Sequence, residues 1–124
     1  MGMLEDGKWT DDEHRRTDAK GAFVRPDSAF RRRITHDGAS GFPAERGRYH
    51  LFVAHSCPWA HRTVIVRRLK KLEDLISLSY ADGPRTQGWA YSQGIDDLQP
   101  ENGVLPLHRI YTAASPTYSG RVTV

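Results

Sequence analysis

Cysteine is nearly absent from this chain: Cys57 is the one cysteine among 124 residues. A single cysteine cannot close an internal disulfide, build a four-cysteine zinc site or form a Cys-x-x-Cys dithiol. If Cys57 carries chemistry, the second sulfur comes from outside the chain. Long apolar runs are missing too, and nothing approaches the roughly 20 residues of a membrane-crossing helix. Met1-Gly-Met-Leu-Glu-Asp6 has no apolar signal core, and its early acids argue against a transit peptide. Asp6 also stands where a myristoylation motif wants Ser or Thr. A strong charge of one sign is lacking: 18 Lys and Arg face 15 Asp and Glu, a net +3. Acids and bases interleave, as where Asp11, Asp12 and Glu13 precede Arg15 and Arg16. We therefore expect a cytoplasmic chain with no membrane or nucleic-acid partner and a mild preference for anionic ligands.

Residues 1–48 show no sustained helical or strand period. Gly, Asp, Ser, Thr and Arg dominate, with Trp9, Phe23, Phe30, Ile34 and Phe42 placed singly. This reads as an extended N-terminal arm that docks a few aromatics. Arg31-Arg32-Arg33 is a solvated stretch rather than a nucleic-acid patch, and Gly38, Gly41, Pro43 and Gly47 mark a turn-rich boundary.

From Tyr49 the pattern changes. Tyr49-His-Leu-Phe-Val-Ala54 is rich in strand formers and predicts a buried strand. Pro58 to Leu72 predicts a helix, with Ala60, Val64, Ile65, Leu69 and Leu72 as its apolar stripe. Pro58 suits the first helical position, and Arg67, Arg68, Lys70 and Lys71 fall where cations complement the helix dipole. Leu75 to Tyr80 predicts a second strand, which makes a βαβ unit with parallel strands. A polar loop follows, carrying Trp89 and Tyr91. Pro106 to Ala114 then predicts a helix with Leu107, Ile110 and Tyr111 on one face. Ser119 to Val124 is strand-forming and apolar, so we expect the chain to stop inside a domain.

Cys57 lies at the junction of strand and helix, in Ser56-Cys57-Pro58-Trp59-Ala60-His61-Arg62. The open N–H groups and dipole of a helix N-terminus stabilise a thiolate, and Arg62 in the first turns adds positive potential. A lone cysteine is ordinarily just a small buried residue, but this placement argues for a nucleophile. Ala60 stands where a dithiol oxidoreductase carries its second cysteine, so the chemistry is monothiol: Cys57 attacks sulfur and an external thiol resolves the product. A metal site from His50, His55, Cys57 and His61 is disfavoured, because His50 and His55 have opposite strand parity. His61 reads as a packed or hydrogen-bonding residue rather than a base.

Four segments together resemble a known family: Phe42-Pro-Ala-Glu45, Gly47-Arg-Tyr-His-Leu51, Cys57-Pro-Trp-Ala-His-Arg-Thr63 and Gly120-Arg-Val-Thr-Val124. From about Gly21 to Val124 the chain is similar to glutathionyl-hydroquinone reductases, the xi class of glutathione transferases. The resemblance implies that Cys57 attacks the sulfur of a glutathionyl-hydroquinone and leaves a Cys57–glutathione disulfide, which a second glutathione resolves. It implies that Trp89 contacts glutathione, although an ordinary loop anchor is an equal reading of that residue. It further implies that Arg121, Val122, Thr123 and Val124 grip glutathione through the arginine and the backbone. His55-Ser56 departs slightly from the small or apolar pair usual before the cysteine.

The resemblance also implies parts not found in this sequence: a cis-proline, two more strands, an acidic-Ser pair and an all-helical second domain that supplies quinone-pocket tyrosines and much of a homodimer interface. We therefore expect an α/β fold, with residues 1–48 as the arm and 49–124 as an incomplete thioredoxin-like, glutathione-binding domain. The expected function is glutathione-dependent reduction of glutathionyl-hydroquinones, without metal, weak or lost in this chain. Two alternatives are an omega-like transferase with thioltransferase or dehydroascorbate reductase activity, and a non-catalytic basic binding protein using Arg31 to Arg33.

Overall fold

A computed structural model describes residues 2–11, 17–24 and 27–123. Along the chain run β1 (Met3–Glu5), β2 (Lys8–Thr10), β3 (Tyr49–Val53), α1 (Pro58–Leu69), β4 (Ile76–Tyr80), β5 (Ala90–Tyr91), β6 (Leu105–Pro106), α2 (Leu107–Ala114) and β7 (Gly120–Arg121), with a 3-10 turn at Arg85–Gln87. They fall into two compact units, one of Met1–Ala29 with Asp82–Thr123, the other of Phe30–Ala81.

The Phe30–Ala81 unit is built on the predicted strand–helix–strand. β3 and β4 pair in parallel, with Tyr49 opposite Ile76 and Val53 opposite Tyr80. Parallel neighbours cannot be joined by a tight turn, so the chain crosses through α1. His50 secures the pairing: its two ring nitrogens lie 2.7 and 2.9 Å from the hydroxyls of Ser77 and Ser79. Pro58 opens α1, where a missing N–H costs no helical bond.

α1 ends at Leu69 rather than at the expected Leu72. Lys71 turns left-handed, at φ +54°. Its N–H bonds Arg68 O at 3.0 Å and the Leu72 N–H bonds Arg67 O at 2.9 Å, the paired bonds of a Schellman cap. The Arg67 guanidinium then donates to Ile76 O (2.7 Å) and Glu73 O (3.1 Å), tying the last helical turn to the start of β4.

The expected apolar stripe is only partly covered. Ala60 is buried and Val64 and Leu72 are half-buried, yet Ile65 is 44% and Leu69 77% exposed. Among the described residues this sheet has two strands.

In the other unit the expected arm is partly folded. β1 and β2 form an antiparallel hairpin, with Leu4 opposite Trp9. Its two-residue turn, Asp6-Gly7, has φ +47° and +75°, the positive pair that matches the twist of the flanking strands. β1 also pairs antiparallel with β7, Met3 opposite Arg121 and Leu4 opposite Gly120. Met3 and Leu4 are therefore core residues. Of the aromatics expected to dock, Trp9 stacks on His108 with centroids 4.9 Å apart, whereas Phe23 and Phe30 are about half exposed (53% and 49%).

The expected polar loop around Trp89 also differs. Ala90 and Tyr91 form β5, paired antiparallel with β6, and Tyr91 and Leu105 are almost wholly buried. Strands of two residues are too short to show a period of two. α2 begins where expected, with Leu107 buried and Ile110 and Tyr111 half-buried.

Two substitutions test these backbone assignments. Lys71→Gly removes a side chain from a left-handed cap position and is expected to stabilise the protein by about 0.5–1 kcal/mol, raising the thermal midpoint. A lower midpoint overturns the cap. For Gly7→Ala, the added Cβ falls 1.9 Å from Pro116 O at a positive φ. This change is expected to cost about 2–4 kcal/mol in chemical denaturation.

Candidate functional site

Cys57 occupies the N-cap position of α1, with φ −97° and ψ 111°. Its N–H donates to Ala54 O at 3.1 Å, which closes the turn Ala54–Cys57 directly after β3. The first helical bond runs from the His61 N–H to Cys57 O, also 3.1 Å. Pro58 has no N–H, so the amides of Trp59 and Ala60 stand at the open end of the helix, beside the cysteine. Cys57 itself is 7% exposed, and Ala60, one turn on, is 1% exposed. Arg62 is exposed in the next turn. His61 was expected to pack or to hydrogen-bond through its side chain; the side chain is exposed, and it is the backbone that bonds. His50, engaged by Ser77 and Ser79, points its chemistry at β4.

Trp89, Arg121, Val122 and Thr123 belong to the other unit; Val124 lies outside the described residues. Trp89 is 8% exposed, and the Arg85 guanidinium covers its ring at 3.7 Å from the centroid. Its carbonyl accepts from the Leu107 N–H at 2.8 Å. The segment carrying it is pinned at its ends: the amides of Asp82 and Gly83 donate to Ala90 O, and Asp82 accepts from the N–H and hydroxyl of Ser92. Those two bonds hold the Asp82 carboxyl below its usual range. Arg85 also lines a cavity of about 400 Å³ with Gly2, Asp11, Thr86 and Gly88.

The terminal segment is held by tyrosines. The Tyr111 hydroxyl donates to Thr123 O (2.8 Å) and accepts from the Thr123 N–H (3.3 Å). The Tyr118 hydroxyl donates to Arg121 O at 2.9 Å. The Arg121 guanidinium stands 5.5 Å from the centre of the Phe23 ring, and Val122 is buried.

No family model matches the chain. Among curated proteins, glutathionyl-hydroquinone reductase PcpF of Sphingobium chlorophenolicum is 44% identical over all of this chain and 39% of its own length. Glutathionyl-hydroquinone reductase YqjG of Escherichia coli is 43% identical over all of this chain and 40% of its own. Among solved structures, the Xi class transferase from Natrialba magadii superposes with a TM-score of 0.76 at 41% identity, covering 100% of this chain and 39% of that one. Over its whole length the chain is similar to glutathionyl-hydroquinone reductases and to xi-class glutathione transferases. Its strand–helix–strand is part of the thioredoxin-like fold of those transferases, and the chain spans about two fifths of the length of the curated relatives it matches. The glutathione-bound structure of YqjG has a TM-score of 0.64 and 44% identity over 77% of this chain and 34% of its own.

The sequence-predicted residues divide between the units: Cys57, Pro58 and Arg62 in one, Trp89 and Arg121 to Thr123 in the other. Tyr111 and Tyr118, which hold the backbone of Thr123 and Arg121, were not singled out in advance. A tyrosine hydroxyl that reaches backbone 3 or 12 residues away carries no local sequence signal of such a bond. The hairpin that orders β7 did have one, the Asp6-Gly7 dipeptide.

His108 couples this unit to pH. Burial, with the neighbouring Arg109 charge second, holds the imidazole below its ordinary value, while its faces and edges meet Trp9 and the Gln87 amide oxygen. A lowered folded-state value means that the unfolded chain binds the proton first. The stabilisation is whole above the ordinary histidine value of about 6.5 and is lost as pH falls from there through the lower folded-state value. The thermal midpoint is expected to drop between pH 7.5 and 5, with a shallower slope in His108→Gln. An identical slope in that variant overturns the assignment.

Proposed function

We propose that this protein acts in glutathione-dependent thiol transfer, reducing glutathionyl-hydroquinones through Cys57. The observation that carries the reading is the position of the chain's one thiol at the N-cap of α1, directly after β3 and before Pro58. The likeness to PcpF and YqjG, with their names, supports the substrate class. In the proposed step, the Cys57 thiolate attacks the sulfur of the glutathionyl-hydroquinone. The sulfur–carbon bond breaks, the ring carbon takes up a proton as hydroquinone, and a Cys57–glutathione disulfide remains. A second glutathione thiolate attacks that disulfide, releases glutathione disulfide and returns Cys57 to its thiolate.

Glutathione is the co-substrate in this reading, and the glutathione-bound structures of YqjG and of a yeast Xi transferase support it. Arg121 supplies a guanidinium for a carboxylate, with Val122 to Val124 offering backbone. Trp89, with the Arg85 guanidinium over its ring, contacts glutathione in this reading. Pro58 and Arg62 support the cysteine, and the full-length protein is a homodimer acting in the cytoplasm. Residues 1–48 serve as an arm and 49–124 as part of a thioredoxin-like domain. A second reading, an omega-like transferase with thioltransferase or dehydroascorbate reductase activity, draws on a relative named glutathione S-transferase omega-like 2 of Schizosaccharomyces pombe, 41% identical over 84% of this chain.

Cys57→Ser is expected to abolish both the glutathione adduct, read by intact-protein mass spectrometry, and glutathionyl-hydroquinone reduction. Reduction that survives in this variant overturns the mechanism, and faster turnover of dehydroascorbate than of glutathionyl-hydroquinone favours the second reading. The 124-residue chain is expected to turn over weakly or not at all, since β3 has one strand neighbour among the described residues and an open apolar edge favours association. Full turnover together with a cooperative near-ultraviolet melt overturns that expectation.

A further inference from the structure

The turn that delivers Cys57 has a corner residue whose side chain is otherwise unexplained. His55 is the first of the two corner residues in the Ala54–Cys57 turn, which the Cys57 N–H closes on Ala54 O. Its imidazole lies face to face with the Tyr80 ring, centroids 3.9 Å apart and planes within 2° of parallel. Tyr80 is the last residue of β4 and stands opposite Val53, the last residue of β3. The Ala81 N–H reaches back to Val53 O at 2.8 Å, which continues the ladder to the same level. The stack therefore joins the corner of the turn to the end of the neighbouring strand, two residues before the sulfur. Both rings are on the exposed side of the unit, so burial does not account for their contact.

We propose that His55 is a positioning residue: its stack on Tyr80 fixes the turn so that Cys57 is presented at the start of α1. This rests on the reading of Cys57 as the nucleophile. A turn held only by its closing bond samples several corner geometries, each aiming the cysteine differently. A flat ring clamped on a second ring removes that freedom.

The test uses glutathione disulfide, because Cys57 is the only thiol and the exchange needs no hydroquinone. The Cys57 thiolate attacks one sulfur, the disulfide bond breaks, and one glutathione leaves as its thiolate and takes up a proton. Mass spectrometry follows the adduct with time in the full chain. His55→Ala and Tyr80→Leu are each expected to slow adduct formation by about fivefold to tenfold, the rate equivalent of one aromatic pair, and the double variant no further. His55→Phe keeps a flat ring and is expected within about twofold of the parent, whereas His55→Leu, of similar bulk, is expected to be slow. In NMR spectra the His55 ring protons are expected upfield in the parent and shifted downfield in Tyr80→Leu. Equal rates for His55→Phe and His55→Leu, additive losses in the double variant, or unmoved His55 protons overturn the proposal. If Ala at 55 prevents folding, the Phe and Leu pair still decides it. If the parent shows this exchange pattern but leaves glutathionyl-hydroquinone intact, the substrate reading fails and the positioning role stands.

Discussion

The parallel pairing of β3 with β4 is the constraint from which the candidate site follows. Two parallel neighbours need a crossover, and the crossover here is a single helix. That helix must begin just beyond the C-terminal end of β3, so a short turn and then a helix N-terminus fall at one place. Cys57 occupies that place. The chemistry proposed for it follows from the connection as much as from the sulfur, because a helix N-terminus falls there whatever residue is present. Pro58 makes the start sharp, and His50, bridging Ser77 and Ser79, secures the strand pairing that the start depends on.

The Met1–Ala29 and Asp82–Thr123 unit is organised differently. Its strands are two or three residues long, and no one of them would persist alone. Order comes from pairing between the two ends of the chain, as β1 accepts β2 on one edge and β7 on the other. Tyr111 and Tyr118 then fix the backbone that follows. Asp82 closes the segment carrying Trp89 with charge-assisted bonds rather than apolar area. Hydrogen bonds from Ser92 hold Asp82, and burial holds His108, below their ordinary values, so proton uptake at either works against this arrangement.

Legibility of the chain tracked the length of its elements. β3, α1, β4 and α2 are long enough for composition and period to show, and each stands within a few residues of its expected place. The errors have local causes. α1 stopped early because Lys71 adopted a left-handed cap, which no apolar count reveals. The arm hid a hairpin because β1 and β2 each have three residues, although Asp6-Gly7 advertised the turn. β5 and β6 were invisible at two residues each. The apolar stripe on α1 is present but only partly covered, because pattern gives a face and not what covers it.

By itself the sequence determined the chemistry available. One cysteine before a proline, with alanine where a second sulfur would stand, admits monothiol exchange and no internal dithiol. It also carried the likeness to glutathionyl-hydroquinone reductases that are 43–44% identical over the whole chain. Tertiary structure alone decided which neighbours each of those residues meets. Arg85 covers Trp89, Tyr111 holds Thr123, and His55 lies on Tyr80 from 25 residues away in sequence. The physical reason is that local propensity acts over a few residues, whereas ring stacking and backbone pairing depend on distances that only the folded chain sets.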